Sequence, residues 1–296
     1  MKKVLKWAGY GAAGLVSGAV LAIGGGLAAS EVVYRWPVAK PAVQIAAAHD
    51  HGAVGRGERL ATVMGCNDCH GADLQGRMFD DVPNLATLYA PNLTRAVARQ
   101  SDADLDRAIR HGVRSDGRPL WIMPSASFAD LEDGEIGDLI AYLRSKRAAG
   151  PEQPDIRLGP IARVGIVLGR FKPEVALIQA RTREHRRLAD LGPRYAAGRE
   201  LARACVECHG FSLEGGNTVL KTPDLTIAAS YDREDFETLL RTGVAAGNRK
   251  AGLMSDIAPG RFGVWSSAEI GQLHDYLKAR AAREVAAAET LGVAKR

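Results

Sequence analysis

Five residues, Cys66-Asn67-Asp68-Cys69-His70, constrain this chain more than any other stretch, and the pattern returns as Cys205-Val206-Glu207-Cys208-His209. Two thiols one helical turn apart, followed directly by an imidazole, suit one porphyrin. Each sulfur can form a thioether to a vinyl group while a His nitrogen reaches the iron. The two motifs use all four cysteines of the 296 residues and leave none for a disulfide. A zinc ribbon would keep its C-x-x-C halves roughly 15–20 residues apart, whereas these motifs lie 139 apart. A thioredoxin-like dithiol would not need a His after both copies. The motifs therefore predict two covalently attached haem c groups, one on Cys66, Cys69 and His70, the other on Cys205, Cys208 and His209.

Aromatic residues make up only 6% of the chain, which suits small helical domains wrapped around a flat prosthetic group. The net charge of +5 is unevenly placed: +3 over residues 1–54, −2 over 55–150, +4 over 151–194 and 0 over 195–296. The basic excess thus avoids the motif-bearing segments. No basic face with groove-reading elements emerges, so nucleic acid is not an expected partner.

Lys2, Lys3 and Lys6 precede an uncharged run from Trp7 to Ser30. A positive flank and an apolar stretch make either a signal peptide or a membrane anchor. The run is long enough to span a bilayer, which needs about 20 residues, and length favours an uncleaved anchor. Ala28-Ala29-Ser30 nevertheless offers small residues for cleavage. Either way the bulk of the chain is expected outside the cytoplasm.

Aligning the chain with itself reveals a repeat. Leu105 to Val113 matches Phe236 to Val244 at an offset of 131, and Glu135-Ile136-Gly137 matches Glu269-Ile270-Gly271 at 134. Each copy reads as helical. A short helix leads into each motif, over 57–63 and 198–204. The closing helix of the first copy places Ile136, Leu139, Ile140 and Leu143 on one stripe. Ser266 and Glu269 form a capping box in the second copy, whereas Glu132 replaces the serine in the first and signals its helix start less well. Between the copies, Pro151, Pro154 and Pro160 mark a linker. The apolar piece 161–168 and the basic run Arg181 to Arg187 then predict a connector helix packed between the two copies, or one lying on an anionic membrane surface.

A haem that only transfers electrons needs a second axial ligand, normally Met or His. Of the five methionines, Met1 is terminal, Met64 precedes its motif by two residues, and Met78 follows His70 by only eight. Met123 and Met254 remain, one in each copy and 131 apart, the offset of the preceding helix. His111 corresponds to Thr242 and His274 to Ile140. Neither recurs, and His274 is expected to be a tolerated or surface residue. Pro91-Asn92-Leu93-Thr94 and Pro223-Asp224-Leu225-Thr226 occupy equivalent places, and the carbonyls of Pro91 and Pro223 suit the other ring N–H of each motif histidine.

With these residues in view the chain resembles class I c-type cytochromes, most closely membrane-anchored multi-haem ones. The resemblance rests on both C-x-x-C-H motifs, the Pro-Asn-Leu and Pro-Asp-Leu turns, Met123-Pro124, Met254 and the closing Leu-x-x-Tyr-Leu helices at 139–143 and 273–277. Ala90-Pro91-Asn92-Leu93-Thr94 and Arg110 to Gly117 also resemble cytochrome subunits of membrane-bound alcohol and sugar-acid dehydrogenases. Those subunits typically carry three haems, whereas two motifs stand here, and Ser255 rather than Pro follows Met254.

The resemblance implies an all-α fold: a signal-anchor helix (1–30), a linker (31–54), a cytochrome c domain (55–150), a helical connector (151–194), a second cytochrome c domain (195–285) and a tail (286–296). It implies an electron carrier on the periplasmic side of a bacterial inner membrane, since c-type haem is attached after translocation. Its partners would be redox proteins: a dehydrogenase, other cytochromes or a terminal oxidase. No catalytic constellation accompanies the motifs, and no small-molecule substrate is expected. A dihaem peroxidase, with one displaceable ligand, is the alternative; a haem-based sensor is a third reading, with no signalling domain to support it.

Overall fold

The computed structural model describes residues 2–217 and 221–294. Met1 and the last two residues of the expected tail lie outside them. The chain opens with one long helix, Lys2–Arg35. It outruns the expected boundary at residue 30 because no breaker intervenes before Pro37, and Arg35 pairs with Glu31 one turn back. Its stretch Ala13–Arg35 is long and apolar enough to cross a membrane, and almost none of it is buried.

The following segment is extended and lies along the first repeat. Val38 N–H donates to the Gly117 carbonyl and Ala48 N–H to the Gly137 carbonyl, both at 2.9 Å. Each repeat then sets a short helix before its motif across its closing helix: Ala53–Val63 on Asp133–Ser145, and Ala196–Ala202 on Ser267–Ala294. The crossings are backbone-close. A Cβ on Gly57 would lie 2.0 Å from the Asp138 carbonyl oxygen, and one on Gly198 would lie 2.2 Å from that of Gln272. Glycine is the residue that admits such an approach.

The closing helix of the first repeat is better capped than its sequence suggests. Glu132 N–H donates to the Glu135 carboxylate at 2.9 Å, completing a capping box with glutamate in the serine's place. In the second repeat Ser266 N–H meets Glu269 at 2.8 Å, as expected. That helix runs past residue 285 to Ala294, because the Ala-rich segment after Arg283 contains no proline.

The fold is predominantly helical but not purely so. Arg77–Val82 and Ala86–Ala90 form an antiparallel hairpin, which Arg157–Leu158 extends as a third strand with Leu158 opposite Ala86. Two smaller hairpins, Gly216–Asn217 with Lys221–Thr222 and Val244–Ala245 with Arg249–Lys250, belong to the second repeat. These strands are too short to show an alternating pattern.

The connector reaches both repeats only through its second half, where the Arg181 guanidinium lies 4.6 Å from the Phe211 ring centroid of the second repeat. Its first helix, Pro160–Val167, lies on the base of the N-terminal helix, where Arg163 donates to Ser30 Oγ at 3.0 Å and to Glu31 at 2.9 Å. Its second helix, Glu174–Arg183, packs on the first repeat. Part of the basic run is already engaged there: Arg181 pairs with Asp130 and donates to the Ala126 carbonyl at 3.0 Å. The two repeats meet directly. Their buried side chains join one apolar cluster that includes Met64, Ile136, Trp265 and Tyr276. Ion pairs Arg59–Glu269 at 2.8 Å and Arg203–Glu135 at 2.9 Å cross between the repeats.

Candidate functional site

Each motif forms one short turn of helix, Cys66–His70 and Val206–His209, and the backbone then repeats the same path. Gly71 and Gly210 take φ of 82° and 79°, Leu74 and Leu213 take 59° and 62°, and Gly76 and Gly215 take 75° and 86°. Gly76 N–H returns to the His70 carbonyl at 2.8 Å, and Gly215 N–H returns to the His209 carbonyl at 2.9 Å. Leu74 and Leu213 are fully buried. A leucine in the left-handed region is uncommon, and here burial of its side chain offsets the local cost. Sequence reasoning missed this loop, although the signal was present as Gly-x-x-Leu-x-Gly in both copies.

The loop ends by placing a proline carbonyl against each motif histidine. Nδ1 of His70 lies 2.9 Å from the Pro91 oxygen, and Nδ1 of His209 lies 2.9 Å from the Pro223 oxygen. A carbonyl can only accept, so Nδ1 carries the hydrogen and Nε2 keeps its lone pair. Burial lowers the pKa of both rings, which favours the neutral imidazole. Burial likewise pushes the Cys66 and Cys205 thiols of the bare polypeptide up to about 12.

The turns behind these carbonyls are secured differently. In the first repeat the buried Asn92 donates through Nδ2 to the Ala149 and Pro151 carbonyls at 2.7 and 3.0 Å, while its Oδ1 accepts from Thr94 at 2.7 Å. The counterpart Asp224 has no donor. It accepts instead from Thr226 N–H at 2.8 Å and from the buried Arg280 at 2.9 Å, and these contacts hold its pKa below the usual carboxylate range against the effect of burial.

Cys205, Cys208, His209 and Met254 line one small cavity, walled largely by apolar side chains such as Phe236, Phe262 and Trp265. A thiol pair, an imidazole with a free Nε2, a thioether in the same lining and largely apolar walls suit covalently attached haem, so the residues present fit the group. In the first repeat Met123 and Cys66 are half-buried against the same apolar cluster. Met123 lies on an irregular segment gripped by Glu174, whose N–H donates to the Leu120 carbonyl at 2.8 Å and whose carboxylate accepts from Ala126 N–H at 2.8 Å. Burial pushes the Glu174 carboxyl up to about 7. This residue was not singled out in the sequence, since nothing in a connector glutamate announces a tertiary partner.

The rejected candidates stand elsewhere. Met64 is buried in the groove between the repeats, Met78 is exposed on a strand, and His111 ends the helix Asp102–His111 half-buried. His274 corrects its expectation. It is 2% exposed, stacks on Phe236 with ring centroids 4.7 Å apart, and reaches the Ala228 carbonyl through Nε2 at 3.1 Å. It fills the core position that Ile140 fills in the first repeat.

Residues 54–147 match the cytochrome c family, whose domains are electron-transfer modules that bind haem covalently. Among similar proteins is the cytochrome c subunit of a quinone-dependent alcohol dehydrogenase from Gluconacetobacter polyoxogenes, 33% identical over 119 residues, which cover 36% of this chain and 25% of the relative. The fructose dehydrogenase cytochrome subunit of Gluconobacter japonicus is 25% identical over 270 residues, or 81% of this chain and 55% of the relative. A diheme c-type cytochrome of Cereibacter sphaeroides is 29% identical over 180 residues, or 53% and 57%. The chain thus spans from a quarter to somewhat over half the length of these relatives.

Proposed function

We propose that the chain is an exported dihaem carrier, with a second cytochrome c domain over residues 195–285 joined to the first (55–150) by the connector 151–194. His70 and Met123 ligate one iron, His209 and Met254 the other. The observation that carries this reading is the duplicated contact between a motif histidine and a proline carbonyl, 2.9 Å in both copies. Bound haem supplies a one-electron ferrous/ferric couple, and a His/Met pair sets its potential higher than a bis-His pair would. The chain's own part is to attach the ring through its cysteines, fix the histidines in one tautomer, present the thioethers and keep water out.

The helix Lys2–Arg35 anchors the protein to the inner membrane, with both repeats on the periplasmic side. Its apolar surface supports this, as do the exposed Ile161, Val164 and Val167 on the connector helix at its base. The partners are redox proteins. The relatives' names support a dehydrogenase as donor, and the electron passes on to a respiratory acceptor. The test is optical. Met123→Ala and Met254→Ala should each remove about half of the red Met-to-iron charge-transfer band of the oxidised protein. Full intensity in either variant, with both haems counted, would overturn that assignment.

A further inference from the structure

Arg261 stands where the two attachment motifs meet. It lies on the helix Leu253–Phe262, seven residues after Met254, and is 6% exposed. Its Nε donates to Asp68 Oδ2 at 2.6 Å and its Nη1 to Glu207 Oε2 at 2.7 Å. Asp68 and Glu207 are the same position in the two motifs, the residue immediately before the second cysteine. The approach to the first motif is close. A Cβ on Gly65, the residue before Cys66, would lie 2.2 Å from the guanidinium carbon. Among the ion pairs that cross between the repeats in the described residues, this is the one that touches both motifs. A guanidinium can serve two carboxylates at once through separate N–H groups. Removing it would leave two negative charges beside the two sites with no cation between them.

We propose that Arg261 is a positioning residue for both haem sites: it fixes the two motifs against each other and supplies the positive charge they share, so that both potentials are held up together. The proposal rests on the dihaem reading above. A ferric haem carries one more positive charge than a ferrous one, so a nearby cation disfavours oxidation. The trio Asp68, Arg261 and Glu207 sums to −1, and without the arginine it sums to −2.

The test is a spectroelectrochemical titration of the full-length, haem-loaded protein. In Arg261→Gln both midpoints should fall, with the ferric-to-ferrous ratio at fixed ambient potential rising about tenfold, or about 59 mV for a one-electron couple. Combining Arg261→Gln with Asp68→Asn restores the net charge and should bring the midpoints back toward the parent's. A purely mechanical bridge would give no such rescue. Glu207→Gln alone, a mild change on a partly exposed side chain, should raise both midpoints, and it carries the test if the arginine variant fails to load haem. Unchanged midpoints in these variants, or movement of only one haem, would overturn the proposal. An intact mass showing one haem on the parent protein would instead overturn the dihaem reading, and the proposal with it.

Discussion

Met123 and Met254 are 131 residues apart, the spacing of the helices before them, yet the chain around them is built differently. Met254 sits in the first turn of the helix Leu253–Phe262, where intrahelical hydrogen bonds place it. Met123 sits on a bent segment held from outside, by Glu174 of the connector. The turns behind the histidines differ in the same way: Asn92 reaches two carbonyls, whereas Asp224 takes a distant arginine. What the repeats share is a backbone path and the chemistry at its end. The side chains that secure the path differ, each with a partner suited to its own donor or acceptor.

The largest test of that contrast exchanges the turn residues. Asn92→Asp would turn a carboxylate toward the Ala149 and Pro151 carbonyls, where the neighbouring Arg95 is engaged by the Gly150 carbonyl at 2.6 Å, and should cost on the order of 3 kcal/mol. Asp224→Asn keeps the acceptor for Thr226, and Arg280 keeps Glu284 at 2.8 Å, so about 1 kcal/mol is expected. Denaturant unfolding of both variants measures the difference. Equal losses would mean that the two turns are secured alike.

A second test uses pH. The Glu174 carboxyl titrates at about 7 in the folded chain, against a reference value of 4.5. An acid whose pKa rises on folding favours the native state less as pH increases, so this stabilisation is lost between 4.5 and 7. Glu174→Gln keeps an acceptor for Ala126 N–H and should be more stable than the parent at pH 8 by on the order of 3 kcal/mol, with little difference at pH 4. The first repeat should show it most in hydrogen exchange. If the gap between the two proteins stays constant with pH, the connector does not grip Met123's segment through an uncharged carboxyl.

The smallest effect runs the other way, in the second repeat. Burial lowers the pKa of His274 below its reference value of 6.5. Its contribution is present above that value and is lost as pH falls through it. His274→Ile, the residue of the sister repeat, should change stability at neutral pH by less than about 1.5 kcal/mol and flatten the acid limb. An unchanged acid limb in repeat-resolved exchange would show that His274 takes up its proton as readily in the fold as in the unfolded chain.

What the sequence made legible follows from how each contact is encoded. The motifs, the proline turns and the capping of the second closing helix are local, so their residues stand together in the chain and recur. The Gly-x-x-Leu-x-Gly loops are equally local and recurrent. Arg261 was out of reach because its carboxylates lie 193 and 54 positions away and no repeat position echoes it. Glu174 and the connector's placement depended on which surface a short helix would choose, and neither charge nor periodicity decides that. His274 misled because a polar residue opposite an isoleucine looks like a surface exchange until a stacked ring and a carbonyl complete its pocket.

The base of the N-terminal helix is gripped more firmly than a tether requires. Trp121, two residues before Met123, donates its indole N–H to the Tyr34 carbonyl at 3.1 Å and sits with its ring centroid 5.5 Å from that of Tyr34. Phe171 of the connector closes on the other side at 5.4 Å. With the helix in a bilayer, the first repeat would have no slack with which to swing. Its encounters would then depend on two-dimensional diffusion and on the orientation the helix imposes. Loosening Tyr34 and Trp121 would give the module a wider sweep and a less defined approach.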